Sequence, residues 1–389
     1  MKKILMVVLD GLADVGETPL MVAEKPNLDY IAKNGVCGLL DNEVGGSDFS
    51  ETANFHLLGY RNFPGRGYIE ALGIGLEPGP FDLCLRCNFS TVSPDMVVLD
   101  RRAGREETGL DELASALSNL KVKNCRLRFF RGLGHRGVLI IRGEVDENIS
   151  PTDPMKTGER VLDSRPTIPE THPRFPTALR TARILNEFTS RSYELLSGHP
   201  VNDRRKVPAN IILSRYPGIG FSVESFARKY AMSAGCVSAV PATLGMGRLL
   251  GMDVLKVGTG TPDTNLELKL AKALEMLETR DFVFLHVKGC DVLSHDANRD
   301  GKIKFIERLD SEFFAPLLGS LPEDCLLVVT SDHVTSSLDG EHKSGVVPIA
   351  IYGAGKDDVE SFDERSVAAG DLGLIHASDL MEKLISLRG

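Results

Sequence analysis

The sequence lacks any hydrophobic run long enough to cross a membrane. None of the apolar stretches in its 389 residues approaches the roughly 18 residues that a membrane span needs. The N-terminal run Ile4–Leu9 ends at Asp10, and no small-residue cleavage site follows it. We therefore interpret this run as a buried strand rather than a signal peptide. The expected location is the cytoplasm, with no membrane partner.

Excess positive charge is also missing. The formal net charge is −9, which argues against a nucleic acid or an anionic membrane surface as the main partner. A small anionic substrate is still compatible with this charge, because a local arginine cluster overrides the global sign.

Paired cysteines are missing as well. The chain has seven cysteines, an odd number scattered over its length, and this predicts reduced thiols rather than a disulfide framework. Cys84 and Cys87 form a CxxC pair, but no second pair or histidine pair follows at zinc-finger spacing. Packing within a strand is the favoured interpretation of this pair.

The first and last parts of the chain alternate strands with helices. The composition, 42% hydrophobic and 25% charged, is that of an ordinary globular protein. This alternation predicts an α/β fold with a mostly parallel sheet and helices on both faces. The predicted strands are Ile4–Leu9, Phe282–Val287, Leu326–Val329 and Val346–Tyr352, and the predicted helices lie near Pro26–Gly35, Leu266–Leu277 and Lys304–Leu318. A polar loop with Asp291 and His295 is expected after the strand Phe282–Val287.

The middle of the chain has a different pattern. Between residues 75 and 235 the apolar runs are shorter and often alternate with polar residues, and arginine is dense. We interpret residues 75–235 as a smaller α+β domain inserted into a catalytic domain formed by residues 1–74 and 236–389. Residues 150–176 are rich in Pro, Thr and Asp and predict an extended loop.

Polar residues follow several predicted strands. They are Asp10, the pair Asp291 and His295, the pair Asp332 and His333, and His342. Each piece alone is more often a turn or a helix cap. In an open parallel sheet, however, ligands bind beyond the carboxyl ends of the strands, and carboxylate and imidazole groups suit zinc or manganese. The combination favours a dinuclear metal site.

A nucleophile is predicted in the turn-rich stretch before Leu57. Ser47 and Ser50 both lie there, and a serine at a helix N-terminus is close to the positive end of the helix dipole. Next to a divalent cation its hydroxyl ionises more readily and attacks phosphorus. The alternative is that either serine only caps the helix, and spacing alone does not decide between these interpretations.

The segment Asp100–Arg105 places three arginines close together, at Arg101, Arg102 and Arg105. Guanidinium groups bind phosphate and carboxylate in a bidentate way. An anion site and a solvated surface loop are equally compatible with this segment.

The sequence resembles the archaeal-type, 2,3-bisphosphoglycerate-independent phosphoglycerate mutases of the alkaline phosphatase superfamily along nearly its whole length. The matching motifs include Val8-Leu9-Asp10-Gly11, Leu57-Leu58-Gly59-Tyr60, Arg86-Cys87-Asn88-Phe89, Asp100 to Arg105, Gly134-His135-Arg136-Gly137, Lys288 with Asp291 and His295, Ser331-Asp332-His333, and His342 with Val347-Pro348.

The resemblance implies a doubly wound, alkaline-phosphatase-like fold with an inserted cap domain and specific residue roles. The distance to Leu57-Leu58-Gly59-Tyr60 selects Ser50 as the nucleophile, and Lys288 would supply a further cation near the transferred phosphoryl group. One metal would be held by Asp291, His295 and His342, and the other by Asp10, Ser50, Asp332 and His333. The substrate residues would be Asp100, Arg101, Arg102, Arg105 and Arg215.

The implied reaction interconverts 2-phosphoglycerate and 3-phosphoglycerate through a phosphoserine. It requires two divalent cations, with Mn²⁺ expected first and Zn²⁺, Co²⁺ or Mg²⁺ as alternatives, and no 2,3-bisphosphoglycerate. The expected partner is the small phosphoglycerate substrate, with no nucleic acid; whether the chain forms a homo-oligomer is left open.

Three residues depart from the family pattern. Asn54 replaces a frequent His, Leu244 a frequent Lys, and Gly345 a usual Asp. They keep a second interpretation open, a metal-dependent phosphatase or a phosphotransferase with another acceptor, for which homoserine has been proposed among relatives. A third is a metal-binding paralogue without turnover.

Overall fold

The computed structural model describes residues 1–42, 49–118 and 120–389. Contacts divide the chain into two compact units. The first unit combines Met1–Phe63 with Val223–Gly389, and the second is Pro64–Ser222.

The helices and strands are numbered along the chain. The strands are β1 (Lys3–Leu9), β2 (Gly35–Asp41), β3 (Leu83–Val92), β4 (Val98–Asp100), β5 (Leu120–Val122), β6 (Cys125–Arg131), β7 (Arg136–Arg142), β8 (Ile211–Ile219), β9 (Ala234–Ser238), β10 (Asp253–Lys256), β11 (Phe282–Val287), β12 (Cys325–Thr330), β13 (Val334–Thr335), β14 (His342–Lys343), β15 (Val346–Tyr352) and β16 (Gly373–His376). The helices are α1 (Pro19–Val22), α2 (Pro26–Lys33), α3 (Phe49–Leu57), α4 (Arg66–Gly73), α5 (Leu110–Ala116), α6 (Phe175–Ser197), α7 (Phe226–Tyr230), α8 (Pro241–Leu249), α9 (Leu266–Thr279), α10 (Gly289–His295), α11 (Arg299–Leu309), α12 (Ala315–Ser320) and α13 (Leu380–Leu387).

The first unit is built on a sheet with the order β10-β9-β11-β1-β12-β15-β2-β16. Neighbouring strands are parallel except at β15, which runs antiparallel to both β12 and β2. The predicted α/β class with a mostly parallel sheet is therefore confirmed.

Both faces of this sheet are covered, so the central strand β1 is apolar throughout. Leu5, Val7 and Leu9 belong to one core cluster, together with side chains from α9 and α11. On another part of the sheet, Phe226 of α7 packs against Phe282 of β11 with ring centroids 4.7 Å apart. A strand buried on both faces has no polar positions to alternate with, which explains the continuous apolar run at Ile4–Leu9.

The second unit is an antiparallel sheet with the order β4-β3-β7-β6-β5, and β8 pairs with β3. Every residue of β3 is buried, and β3 is paired with β7 on one edge and β8 on the other. The helices α5 and α6 contribute Leu110, Leu113, Leu185 and Phe188 to a core cluster with the sheet. This is an α+β arrangement.

The unit boundaries differ from the predicted positions at residues 75 and 235. Helix α4 belongs to the second unit, because Gly67 packs so closely on β3 that a Cβ there would lie 2.3 Å from the Cys84 carbonyl oxygen. Helix α7, predicted within the insert, belongs to the first unit through the contact of Phe226 with Phe282.

One local prediction was wrong: the expected polar loop after β11 is helix α10, which begins at Gly289 and ends at His295. The predicted helix Lys304–Leu318 is helical throughout, but it consists of the end of α11, a π turn at Asp310–Phe314 and the start of α12. The carboxylate of Asp310 accepts hydrogen bonds from the backbone of Asn27 and Leu28 at the start of α2, so this turn has a capping role.

All seven cysteines are free and buried, as the scattered spacing predicted. Among the described residues, none of the helices combines the length and the apolar composition that crossing a membrane requires.

Candidate active site

Three buried carboxylates meet at one edge of the first unit's sheet. Asp10 follows β1, Asp291 lies in the first turn of α10 after β11, and Asp332 follows β12. Because β11, β1 and β12 are adjacent and parallel, their carboxyl ends share an edge. The backbone joins the first two residues directly: the Asp291 N–H donates to the Asp10 carbonyl oxygen at 2.9 Å.

Gly11 makes this close approach possible. Its φ is +65°, and a Cβ at this position would lie 2.8 Å from the Cα of Asp291. Its N–H donates to Asp332 Oδ1 at 3.1 Å. Only glycine adopts this conformation without strain while leaving the space empty, so the Asp10-Gly11 motif is explained by the crowding of the carboxylates.

Two sets of donor atoms are close enough to hold metal ions. One consists of Asp291, His333 and His342, and the other of Asp10, His286 and Asp332. His295 lies beside the first set, with its Nε2 3.3 Å from Asp291 Oδ1, but it is not one of the grouped donors. The first set thus has His333 where the resemblance implies His295, and the second has His286 and lacks Ser50 and His333. His333 Nε2 also lies 3.3 Å from Asp10 Oδ1, so this imidazole faces both sets.

His286 is a residue that the sequence analysis missed. It lies in β11, and its Nε2 is 3.2 Å from Asp10 Oδ2. The side chain is buried, and its Nδ1 has no hydrogen-bond partner in the described part of the chain. A single histidine in the apolar strand Phe282–Val287 resembles a buried core residue. No local pattern in the sequence distinguishes such a histidine from one that binds a metal ion.

Lys288 links the two sets of donors. Its Nζ lies 2.8 Å from Asp10 Oδ2 and 2.7 Å from Asp291 Oδ2. Burial alone would lower the pKa of this lysine, but the two carboxylates outweigh burial and raise it well above its usual value. Burial likewise favours a neutral Asp10, yet Lys288 and His286 hold the pKa of that carboxyl well below its usual range.

Asp332 is in the opposite situation. Burial and the neighbouring Asp10 raise the pKa of its carboxyl. The positive charge nearby is therefore too small to keep a third carboxyl group ionised beside Asp10 and Asp291. Clustered carboxylates and imidazoles with too little compensating charge are the donors that divalent cations such as Zn²⁺ or Mn²⁺ bind. The residues therefore fit a divalent metal centre.

His333 is held from both ring nitrogens. Its Nδ1 lies 2.9 Å from Thr335 Oγ1, and its Nε2 lies 2.7 Å from Ser50 Oγ. Burial disfavours the imidazolium, but Asp332 and Asp10 outweigh burial and raise the pKa of His333 to about 9. Thr335 is supported in turn by the buried Lys302, whose Nζ donates to the Thr335 carbonyl oxygen at 3.1 Å.

Ser50 lies in the first turn of α3, as predicted for a nucleophile at a helix N-terminus. Asn54, one turn later, donates from Nδ2 to the Ser50 carbonyl oxygen at 2.6 Å and to Asp332 Oδ2 at 3.2 Å. Asn54 therefore connects the nucleophile's helix to the carboxylates. Ser47, the alternative nucleophile, lies outside the described residues. Leu244, which stands where the family often has a lysine, is a buried core residue of α8.

In the second unit, Asp100 and its arginines form a tight turn after β4. The Asp100 carboxylate accepts from the N–H groups of Arg102 and Gly104 at 2.7 and 3.1 Å. Ala103, Gly104 and Arg105 all have positive φ. Asp100 therefore shapes the turn, whereas Arg102 and Arg105 extend from it into solvent.

Arg101 and Arg215 converge on one carboxylate, Asp153. Arg101 donates to Asp153 through Nε at 3.1 Å and Nη2 at 2.8 Å, and Arg215 through Nη1 at 2.9 Å. The predicted members Arg101 and Arg215 are thus brought together. Asp153 was missed because it lies in the extended loop before α6, where no periodic pattern identifies functional residues.

Additional arginines make this region strongly positive. Arg86 is buried and pairs with Glu70 at 3.0 Å. Burial, with further contributions from Arg136, Arg102, Arg86 and Arg105, lowers the pKa of His135 to about 3. The arginines that add to the effect of burial supply the positive charge that an anion-binding site needs.

The comparisons with known proteins agree with the resemblance. The family model described as 2,3-bisphosphoglycerate-independent phosphoglycerate mutase matches residues 32–202. The chain is 40% identical over 99% of its length to the enzyme of that name from Methanopyrus kandleri, covering 96% of it. It is 38% identical to 2,3-bisphosphoglycerate-independent phosphoglycerate mutase 1 from Methanothermobacter thermautotrophicus, covering 100% of this chain and 98% of the relative.

Solved structures give the same result. The PH0037 protein from Pyrococcus horikoshii aligns with a TM-score of 0.82 and 30% identity over 100% of this chain and 97% of its own. The cofactor-independent phosphoglycerate mutase from Thermoplasma acidophilum aligns with a TM-score of 0.69 and 34% identity over the whole of both chains. The chain belongs to the family of 2,3-bisphosphoglycerate-independent phosphoglycerate mutases.

Proposed function

We propose that this protein interconverts 3-phosphoglycerate and 2-phosphoglycerate without 2,3-bisphosphoglycerate, through a phosphoserine at Ser50. The observation that carries the proposal is the position of Ser50 Oγ, 2.7 Å from His333 Nε2, beside the clustered carboxylates and imidazoles. A hydroxyl at a helix N-terminus next to such a cluster suits attack on phosphorus.

Two divalent cations would be held by the clustered donors, with Mn²⁺ as the first candidate. Asp291, His295 and His342 would hold one ion, and Asp10, Ser50, Asp332 and His333 the other, with His286 beside Asp10. Such ions lower the pKa of a coordinated hydroxyl and neutralise charge on a transferring phosphoryl group.

Ser50 would form the new bond. The Ser50 hydroxyl would give up its proton and its oxygen would attack phosphorus as the bond from phosphorus to the glycerate oxygen breaks; that oxygen takes up a proton and leaves as a hydroxyl. The other hydroxyl of glycerate would then lose its proton and attack the phosphoserine, the bond from phosphorus to the Ser50 oxygen would break, and the Ser50 oxygen would take up a proton again. Lys288, whose ammonium contacts both Asp10 and Asp291, would supply a positive charge near the transferring phosphoryl group.

The second unit would bind anionic groups of the substrate. Its arginines, chiefly Arg101, Arg102, Arg105 and Arg215, carry the charge and the planar geometry for carboxylate and phosphate. They would keep glycerate bound until the phosphoryl group returns. If glycerate left first, water would release free phosphate, so retention of glycerate and exclusion of water separate a mutase from a phosphatase.

The test is an assay with 3-phosphoglycerate and Mn²⁺ in the absence of 2,3-bisphosphoglycerate, in which 2-phosphoglycerate and free phosphate are both measured. We expect 2-phosphoglycerate as the main product and little phosphate. Ser50→Ala, which removes only the hydroxyl, should abolish the reaction, whereas a non-catalytic metal-binding protein would keep its biological activity with this substitution.

A second candidate function is a metal-dependent phosphatase or phosphotransferase on another small phosphorylated metabolite. It is favoured by Asn54, whose amide contacts the Ser50 carbonyl oxygen and Asp332 at a position where the family often has an imidazole. Release of free phosphate from 3-phosphoglycerate, or cleavage of a generic phosphate ester without any 2-phosphoglycerate, would support this second function and contradict the first.

A further inference from the structure

Asp153 in the second unit is a buried carboxylate shared by two arginines. It is 1% exposed, and it accepts two hydrogen bonds from Arg101 and one from Arg215. The Met155 N–H donates to the same carboxylate at 2.8 Å. Although burial favours its neutral form, Arg101 and Arg215 lower the pKa of Asp153, so the carboxylate is charged and holds both guanidinium groups at one point.

The loop that carries Asp153 is fixed independently of the arginines. The Thr152 N–H donates to the Ser214 carbonyl oxygen at 2.9 Å, and the Ser214 N–H donates back to Thr152 Oγ1 at 3.0 Å. Ser214 immediately precedes Arg215 in β8, which is a paired strand of the sheet. The position of Asp153 relative to Arg215 is therefore set by backbone and hydroxyl contacts, and the arginines adapt to it.

Both guanidinium groups keep N–H donors that these contacts do not use. Arg101 binds Asp153 through Nε and Nη2, and Nη1 takes no part in that pair of bonds. Arg215 uses Nη1, and its Nε has no hydrogen-bond partner among the described residues, although the side chain is only 11% exposed. A buried guanidinium N–H without a partner is costly, and an anionic ligand would remove that cost.

Charge supports the same conclusion. One carboxylate shared by two arginines leaves an excess positive charge at this point, because the nearby Glu70 forms its own ion pairs with Arg66 and Arg86. If Asp153 served only to neutralise the arginines, the excess would remain uncompensated. A bound anion compensates it.

We propose that Asp153 is a positioning residue that holds Arg101 and Arg215 side by side, so that their remaining N–H groups bind one anionic group of phosphoglycerate. This inference rests on the function proposed above. Asp153 does not contact the substrate; it determines where the two arginines place their donors, and through them how long glycerate stays bound.

The test is Asp153→Asn, which keeps the size of the side chain and removes its charge, in the assay with 3-phosphoglycerate and Mn²⁺. We expect KM to rise roughly tenfold or more, because small displacements of substrate-positioning groups have large effects, with a smaller change in kcat. The ratio of free phosphate to 2-phosphoglycerate should also rise, because poorly held glycerate leaves before the phosphoryl group returns. Asp163→Asn, an exposed aspartate of the same loop, is the matched control and should change neither value.

A purely structural role predicts a different result. Partial unfolding would lower 2-phosphoglycerate and phosphate production in the same proportion and leave KM unchanged, and this outcome would overturn the inference. If Asp153→Asn does not fold, Asp153→Glu keeps the charge but displaces the carboxylate, and the same shift in KM and product ratio is expected from it; wild-type values in that variant would also overturn the inference.

Arg101→Gln and Arg215→Gln separate this inference from the proposed function. If both raise KM while Asp153→Asn does not, the positioning role fails and the arginine site stands. If neither changes KM or the product ratio, these arginines do not bind substrate and the inference fails with them. If the wild-type protein produces no 2-phosphoglycerate, the proposed function itself fails, and the inference falls with it.

Discussion

Replacing Lys288 by methionine should destabilise the metal-free protein far more than the metal-loaded protein. The Lys288 ammonium lies 2.8 Å from Asp10 Oδ2 and 2.7 Å from Asp291 Oδ2. It is the cation that holds these two carboxylates together when no metal is bound. Lys288→Met keeps most of the side-chain volume and removes the charge.

The magnitude follows from the two contacts. At these distances an effective dielectric constant of about 20 gives roughly 6 kcal/mol of attraction per contact before desolvation is subtracted. Removing one partner of a buried pair typically costs about 3–5 kcal/mol. Because Lys288 is 24% exposed, solvent screens part of this, and we expect a loss of about 3 kcal/mol in unfolding free energy.

The assay is urea unfolding followed by circular dichroism, once with EDTA and once with Mn²⁺. With Mn²⁺ the loss should shrink by at least half, because cations bound to Asp10 and Asp291 replace the missing charge. The matched control is Lys25→Met. Lys25 is buried and pairs with Asp29 at 3.1 Å, and the further contacts of this pair are with Ser361 and Phe362 rather than with the donor sets, so its loss should be similar with and without Mn²⁺.

Equal losses for Lys288→Met in EDTA and in Mn²⁺ would refute this reasoning. Such a result would mean that the carboxylates beside Lys288 do not bind the cation, and that the lysine is an ordinary structural partner like Lys25.

Two further predictions concern other parts of the protein. Gly11→Ala places a Cβ 2.8 Å from Asp291 Cα at a φ of +65°. We expect a loss of at least about 2 kcal/mol in stability and weaker Mn²⁺ binding, measured by calorimetry. Wild-type Mn²⁺ affinity in this variant would contradict the role given to Gly11. Because the folded-state pKa of His135 is lowered to about 3, the unfolded chain binds a proton more readily between about pH 6.5 and 3. Stability should therefore fall as pH falls through this range, by at most about 1.4 kcal/mol per pH unit from this group. His135→Gln should flatten the fall in the urea midpoint, and parallel wild-type and variant curves would contradict the assignment.

The strands that position the site were predictable from the sequence, because they are buried on both faces. Phe282–Val287 and Val346–Tyr352 were predicted with the bounds that the structure shows. The antiparallel direction of β15 was not predictable, since a strand buried on both faces has the same composition in either direction. Asp10 and Asp332 were predicted as site residues from the rule that ligands bind beyond the carboxyl ends of the strands in a parallel sheet.

Other parts of the site depend on contacts distant in sequence. Helix α10 was predicted as a loop because it carries the polar residues Asp291 and His295, of which Asp291 is buried among the site residues. His286 was hidden in an apolar strand, and Asp153 in an irregular loop. Each is identified only by the residue that it contacts, Asp10 in one case and the two arginines in the other.

The most direct test of the account is to find the phosphoryl group on Ser50. The protein, loaded with Mn²⁺ and turning over 3-phosphoglycerate without 2,3-bisphosphoglycerate, would be quenched in acid and its peptides analysed by mass spectrometry. The account predicts a phosphorylated peptide with the modification at Ser50, absent in Ser50→Ala, and, in a parallel sample that is not quenched, radioactive phosphate that passes from Ser50 to added glycerate. Production of 2-phosphoglycerate with Ser50 unmodified, or by Ser50→Ala at the wild-type rate, would contradict it.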